Sequence, residues 1–592
     1  MKSMPLRELL HAGAGKLPAT LAIINAQLVN VHTSEIYQSN VAIYKEYIVA
    51  TGDIEDYIGK DTEVIDATGY HLVPGLIDGH LHIECSKLSM TRFAQAVLPH
   101  GTTSIISGLD QYLVIAGIEG IKEVLQEIDA TPLTVFWGLP FKTPYTVPES
   151  TVGFRVDSQT HKQIHPTGLS YGVWETVTEF LENEDPDVLE TLEYARAHRI
   201  PIFGCNPMLT GKRLNSILTA GLRLDHESYT KEEALEKVRK GMFLLIRESS
   251  VSHFLKENIT IITQGSRALA RRVSFCTDDV TARDIAEHGH MDKVLRLAIQ
   301  CGLDPITAIQ MGSLNSAEAY RIDDIVGSIA PGKLANILLI KDLEEFTIDT
   351  VIAKGIRCTE NQKECYSYTP PQRSSILSST IQIPEITEES IAIHTHDIKA
   401  TKAHVLSMEV DYNIPFVRTR KEGYVHIING VVLCSVQDDI LHAVVVERFG
   451  INGNIGKGFV SGWGLQKGAI ASTKAPDDNN IVCIGTNHKD MMTAITYLAK
   501  HGGGQVIVID NEIVEYIALP ICGIVGDYTP QELAKKEEVM LQRLRSLGST
   551  LPDPMFYMSC LQITAIPEYA LIDKGCASFS EQQCINPLLH VE

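Results

Sequence analysis

The chain has 592 residues and a formal net charge of −22, with 44% hydrophobic and 21% charged residues. That length corresponds to about three domains of ordinary size, and the composition is that of a globular protein able to bury a sizeable core. The acidic balance and the lack of a long basic run argue against nucleic acid as a partner. No apolar stretch approaches the roughly 18–20 residues of a membrane-spanning helix.

The first residues, "MKSMPLRELLHAGAGKLPAT", lack the apolar centre of a signal peptide and read as a short helix. Twelve cysteines are scattered without a CxxC pair. This spacing argues against a zinc ribbon or disulfide framework and for a reducing cytoplasm. From Ala19 to Val73, short runs such as "LAIINAQLVNV", "VAIYKEYIVATG" and "TEVIDATGYHLV" predict a small β-domain within residues 1–75.

From Leu76 to about Asp324 the pattern changes. Strand candidates ("GTTSIISG", "LTVFWGL", "GLSYGVWE", "PIFGC", "LRLDHE", "RRVSFCTDD") alternate with helical stretches, among them "KEEALEKVRKGMFLLIRE" and "HMDKVLRLAIQCGL". Such alternation over about 250 residues predicts an α/β fold, a TIM-like (β/α)8 barrel spanning residues 76–324. A doubly wound sheet is the alternative, but no GxGxxG opens a helix. "VGSIAPGKLANILLI" and "TIDTVIAKGIRC" are expected to complete the N-terminal β-domain with residues 325–358. The polar stretch from Thr359 opens a linker, residues 359–400. A C-terminal α/β domain is expected over residues 401–592, with strands such as "NNIVCIGTN" and the helix "TPQELAKKEEVMLQRLRSLG".

The chemistry starts at "PGLIDGHLHIECS". His80 and His82, two residues apart on a strand, lie on one face, at the end where barrel enzymes keep their sites. Imidazoles at that spacing can hold one divalent ion, but two ligands do not complete a site. Further donors stand just past other strand candidates: Glu175 in "GVWETV", Cys205 in "PIFGCNP", His226 and Glu227 in "LRLDHES", Asp278 and Asp279 in "VSFCTDDV". Each alone reads as a structural polar group or helix cap; their joint occurrence around one barrel mouth points to metal binding. "GNIGKG" at Gly453–Gly458 lacks P-loop spacing and reads as a turn. His288 and His290 in "EHGHMD" read as loop or helix-start residues.

These residues carry a resemblance. "VPGLIDGHLHIE", the glutamate after the fourth strand, "DHE" and "CTDD" resemble the amidohydrolase superfamily and, within it, the adenine deaminase family. "FAQAVLPHGTTS", "EHGHMDKVLRLAIQCGLDPITAIQMGSLNSAEAY", "GTNHKDMMTAITYLAKHGGGQVIVIDN" and "LPDPMFYMSCL" extend it over nearly the whole chain. The resemblance implies a two-metal site, typically manganese or iron. His80, His82 and Asp278 would hold one ion, Glu175 would bridge, and His226 would hold the second. Asp278 would also carry the proton, and Glu227 would hold the substrate or orient His226.

The chain departs from the family pattern at three places. Cys205 in "GCNPM" stands where the family has the histidine of "GHAPG". "GLDQ", Gly108–Gln111, replaces "DPHE". "APDDNN", Ala475–Asn480, replaces "AHDSHN". A thiolate at Cys205 is a competent, softer ligand that tilts preference toward zinc; otherwise it is a small buried residue.

The expected activity is hydrolytic deamination of a purine base, adenine to hypoxanthine and ammonia. A divalent ion acidifies water toward a pKa of about 7. Asp278 takes the water's proton and later protonates the departing amine. Cyclic amide hydrolysis and a non-catalytic scaffold are the rival readings. The expected partners are a small purine-like substrate and a second copy of the chain in a homodimer, with neither nucleic acid nor membrane.

Overall fold

In the computed structural model, which describes residues 4–410, 417–566 and 568–592, the chain divides into two units. The first comprises Met1–Gly108, Val124–Phe141 and Asp157–Pro371, and the second comprises Leu109–Glu123, Lys142–Val156 and Gln372–Glu592.

The first unit holds eight parallel strands in chain order. They are β1 (Leu76–Asp78), β2 (Thr102–Ser107), β3 (Thr134–Pro140), β4 (Gly172–Val177), β5 (Ile202–Cys205), β6 (Leu224–Asp225), β7 (Phe243–Arg247) and β8 (Val273–Cys276). The ring closes through single bonds rather than a ladder. Gly79 N donates to Phe275 O at 3.2 Å, and Asp278 N donates to His80 O at 2.9 Å. The interior is filled strand by strand: Ile77, Ile106, Phe136, Trp174, Phe203, Leu224, Phe243 and Cys276 form one buried cluster. This is the (β/α)8 barrel expected from the alternation, packed as a core and not as a pore.

A nine-stranded sheet accompanies the barrel in this unit. Strand Ile337–Ile340 pairs antiparallel with His71–Pro74, which in turn lies beside Leu21–Asn30. The N-terminal β-strands and the strands after the barrel thus share one sheet. Its inner face buries Ile23, Val41, Leu72, Ile337 and Ile352. Strand His71–Pro74 runs into β1 through Gly75 alone. A Cβ at Gly75 would come within 2.2 Å of Thr103 Oγ1, so only glycine lets the chain cross from sheet to barrel there.

One predicted element divides differently. "KEEALEKVRKGMFLLIRE" is not a single helix: the helix ends at Arg239 and strand β7 begins at Phe243. Gly241, with φ of 92°, supplies the left-handed residue that stops the helix. The apolar "FLLI" that follows is wholly buried, as in a parallel strand covered on both faces.

The second unit is built on an eleven-stranded sheet. Helix His488–Lys500 covers one face, burying Met491, Ala494, Ile495 and Leu498 against Val444, Val446, Val506 and Val508. "GNIGKG" is only in part a turn, since Ile455–Ser461 is a strand paired with Leu441–Val446. Among the described residues none of the twelve cysteines forms a disulfide, and no helix is long and apolar enough to cross a membrane.

Candidate metal centre and active site

The C-terminal ends of the barrel strands bring the predicted donors together. His80 and His82 follow β1, Glu175 lies on β4, Cys205 ends β5, His226 follows β6 and Asp278 follows β8. Glu175 and Asp278 both adopt left-handed backbone, with φ of 52° and 55°. Non-glycine residues rarely do so outside turns and functional sites. Here the turn of the backbone aims each carboxylate into the barrel mouth.

Glu175 sits among the imidazoles. Its Oε2 is 3.3 Å from His82 Nε2, and its Oε1 is 3.7 Å from both His80 Nε2 and His226 Nε2. Asp278 Oδ1 lies 3.5 Å from His82 Nε2 and 3.8 Å from His80 Nε2, while its Oδ2 is 3.9 Å from His226 Nε2. Three groupings have donor atoms mutually within 4.8 Å: His80–His226–Asp278, His80–His82–Glu175 and Glu175–Cys205–His226. Asp279 stands outside them; it accepts from Arg247 Nη2 at 3.0 Å and from Cys85 Sγ at 2.9 Å.

The electrostatics suit a cation. Burial pushes His80 and His226 well below the ordinary histidine value, and neighbouring positive and imidazole groups add to this. Both rings are therefore neutral at pH 7 and offer lone pairs. Burial pushes Asp278 up, against the pull of Arg247. Burial and then the Glu175 carboxylate push the Cys205 thiol up. His80 Nε2 is buried without a hydrogen-bond partner. A buried, unpaired nitrogen facing two carboxylates, with further imidazoles beside it, is the donor set a divalent ion satisfies. The residues fit such a group.

Three side chains that the sequence reading did not single out frame this centre. Arg247, at the end of β7, pairs through Nη1 with Asp278 Oδ2 at 2.6 Å and with Glu227 Oε1. It links the two carboxylates expected to do chemistry. Its signal in the sequence is close to that of the other donors, a polar residue at or just past the end of an apolar run. Lys237 is fully buried beneath His226. It donates to Asp225 Oδ2 at 2.7 Å, Glu233 Oε1 at 2.6 Å and the backbone oxygen of Glu227 at 2.6 Å.

Trp174 is the third. Its ring stacks on His80 at 4.3 Å and 6°, and His80 stacks on His226 at 3.6 Å. The space is taken from position 108: a Cβ on Gly108 would lie 2.2 Å from Trp174 Nε1. Gly108→Ala is therefore expected to cost about 1–3 kcal/mol through overpacking. It is also expected to lower the metal content of the purified protein by tilting His80. Thermal melting and metal analysis check both, and the double variant with Trp174→Phe should recover them. An unchanged melt and metal content would count against the packing argument.

The remaining predicted positions are placed elsewhere. His288 ends a helix and is exposed, whereas His290 is buried, its Nδ1 2.8 Å from Thr102 Oγ1. Within the second unit, Asn480 of "APDDNN" donates to Thr151 O at 3.0 Å and accepts from Gln562 Nε2 at 2.7 Å on its backbone oxygen. Burial pushes Asp478 up to about 7.

Comparisons with known proteins point to one family. Residues 71–357 match the family profile described as amidohydrolase family, and residues 416–583 match the one described as adenine deaminase C-terminal domain. "Adenine deaminase 1" of Desulfotalea psychrophila is 51% identical over 99% of this chain and 98% of its own. "Adenine deaminase 1" of Latilactobacillus sakei subsp. sakei is 50% identical over 99% and 98%. "Adenine deaminase 4" of Rhizobium meliloti is 48% identical over 98% and 97%.

Proposed function

We propose that this chain, which belongs to the adenine deaminase family of amidohydrolases, hydrolyses adenine to hypoxanthine and ammonia. The observation that carries the reading is the meeting of three imidazoles and two carboxylates from four barrel strands at one mouth, with donor atoms within 4.8 Å of one another in overlapping sets. The amidohydrolase family implies a divalent metal site.

In this reading two ions bind, manganese or iron, with zinc the option that Cys205 opens. His80, His82 and Asp278 would hold one and His226 the second, with Glu175, whose Oε1 is 3.7 Å from both His80 and His226, shared between them. When bound, such ions supply Lewis-acid polarisation and acidify water.

The chain's own groups do the rest. Asp278, held at Oδ2 by Arg247, takes the proton of the attacking water. It then delivers that proton to the amine leaving C6. A positioned carboxyl can serve in turn as base and as acid. Glu227, fixed through Arg247, positions the purine. The buried walls exclude bulk water and strengthen each of these interactions.

The test is ammonia release from adenine by protein loaded with manganese and, in parallel, with zinc. Hypoxanthine should appear with ammonia, and chelation followed by buffer exchange should abolish both. A folded, metal-loaded protein that releases no ammonia would reject adenine. Ring opening of a cyclic amide would then be the reaction to assay. A cytoplasmic homodimer belongs to the same reading, the compartment supported by twelve cysteines that form no disulfide among the described residues. Light scattering of the purified protein checks the dimer.

A further inference from the structure

Cys205 does not sit where a small core residue sits. It is the last residue of β5, in register with Val177 of β4, and is only partly buried. Its Sγ lies within 4.8 Å of donor atoms on Glu175 and His226.

The backbone on either side is fixed. A Cβ on Gly204 would lie 2.0 Å from Asn206 Nδ2, so the residue before Cys205 admits no side chain. Asn206 is tied by its N–H to Asp225 Oδ1 at 2.8 Å, by its Oδ1 to Thr178 Oγ1 at 2.8 Å, and by its backbone oxygen to Lys237 Nζ at 2.8 Å. Position 205 is thereby held at the mouth. The Glu175 carboxylate of this grouping also has its Oε1 3.7 Å from His226 Nε2 and 3.7 Å from the buried His80 Nε2.

We propose that the second metal position is a thiolate site, in which Cys205 Sγ, Glu175 and His226 bind one divalent ion. This rests on the metal-hydrolase reading above. Binding replaces the S–H bond with a metal–sulfur bond and releases the thiol proton to solvent, since a coordinating thiol is deprotonated by its ion. A soft sulfur donor beside one imidazole and one carboxylate favours zinc and cobalt over manganese at this position, leaving the harder set around His80 and His82 for manganese or iron.

Cobalt tests this without relying on turnover. Metal-free full-length protein is titrated with Co2+ alone and followed by absorption and metal analysis. The expected result is two cobalt ions per chain and a near-ultraviolet sulfur-to-cobalt charge-transfer band that grows with one of them. Cys205→Ser should lose that band while keeping the visible cobalt bands of the first position. A wild-type chain that binds cobalt without the band would overturn the proposal, as would a band that survives Cys205→Ser. Adenine deamination by a protein without the band would retain the activity and reject the thiolate. The band in a protein inert toward adenine would do the reverse.

Discussion

Asp278→Asn is expected to lower turnover of adenine by about two to four orders of magnitude, the share carried by a positioned proton carrier, while leaving the fold intact. The fold should survive because the backbone, not the carboxylate, ties this residue to the barrel. Its N–H donates to His80 O at 2.9 Å and its carbonyl accepts from His82 N at 3.3 Å. The left-handed backbone at position 278 is one that asparagine accepts more readily than most residues. The amide oxygen can still accept from Arg247, which now lies 2.6 Å from Oδ2. What disappears is the carboxylate that moves the proton and that is assigned to one ion. Steady-state deamination measured beside the melting temperature and metal content separates the two effects. A variant that turns over at the wild-type rate would remove Asp278 from the mechanism.

Lys237→Met should produce the largest loss of stability, about 3–5 kcal/mol by the usual cost of breaking a buried ion pair from one side. The ammonium is fully buried and spends its three protons among Asp225, Glu233, Ser228 Oγ and the backbone oxygens of Asn206 and Glu227. Removing it strands two carboxylates in the interior. Burial already pushes Asp225 up to about 6, with Lys237 as the main opposing influence. The same residue holds both ends of the segment that carries His226 and Glu227, so metal binding should weaken along with stability. Urea denaturation gives the stability, and the triple variant with Asp225→Asn and Glu233→Gln should regain most of it. If Lys237→Met alone unfolds at the wild-type urea concentration, the lysine is not the anchor described.

The parts of the site that were legible in sequence share one property. His80, Glu175, Cys205, His226 and Asp278 each stand within three residues of the end of an apolar run, and a barrel turns every such strand end toward the same mouth. Arg247 obeys the same rule but is hidden, because "KEEALEKVRKGMFLLIRE" keeps an apolar residue at every third or fourth place across the helix and into β7. Only Gly241 marks the break. Lys237 stands four residues after Glu233 on an amphipathic helix, where a lysine ordinarily faces water. Its burial follows from how that helix packs on β6 and β7, which no local pattern encodes. The same holds for Gly108 and Trp174, neighbours across strands but 66 positions apart by number. The alternating runs of the β-domain show that strands exist, whereas their order in the sheet depends on pairings between distant parts of the chain.

That pairing has a consequence for how the protein is made. Strand His71–Pro74 leaves the ribosome with one side paired to Leu21–Asn30, but its other partner, Ile337–Ile340, lies about 260 residues later. At the usual 5–20 residues per second of synthesis, that edge waits for roughly 13–50 seconds. Meanwhile the nascent chain carries an open edge of buried-type residues, the template on which other chains add. Gly75 joins this waiting strand directly to β1, so the hinge of the β-sheet is also the first residue of barrel construction. Yield of folded protein in the cell should therefore depend on translation speed across the barrel and on chaperones that shield this one edge until the partner strand arrives.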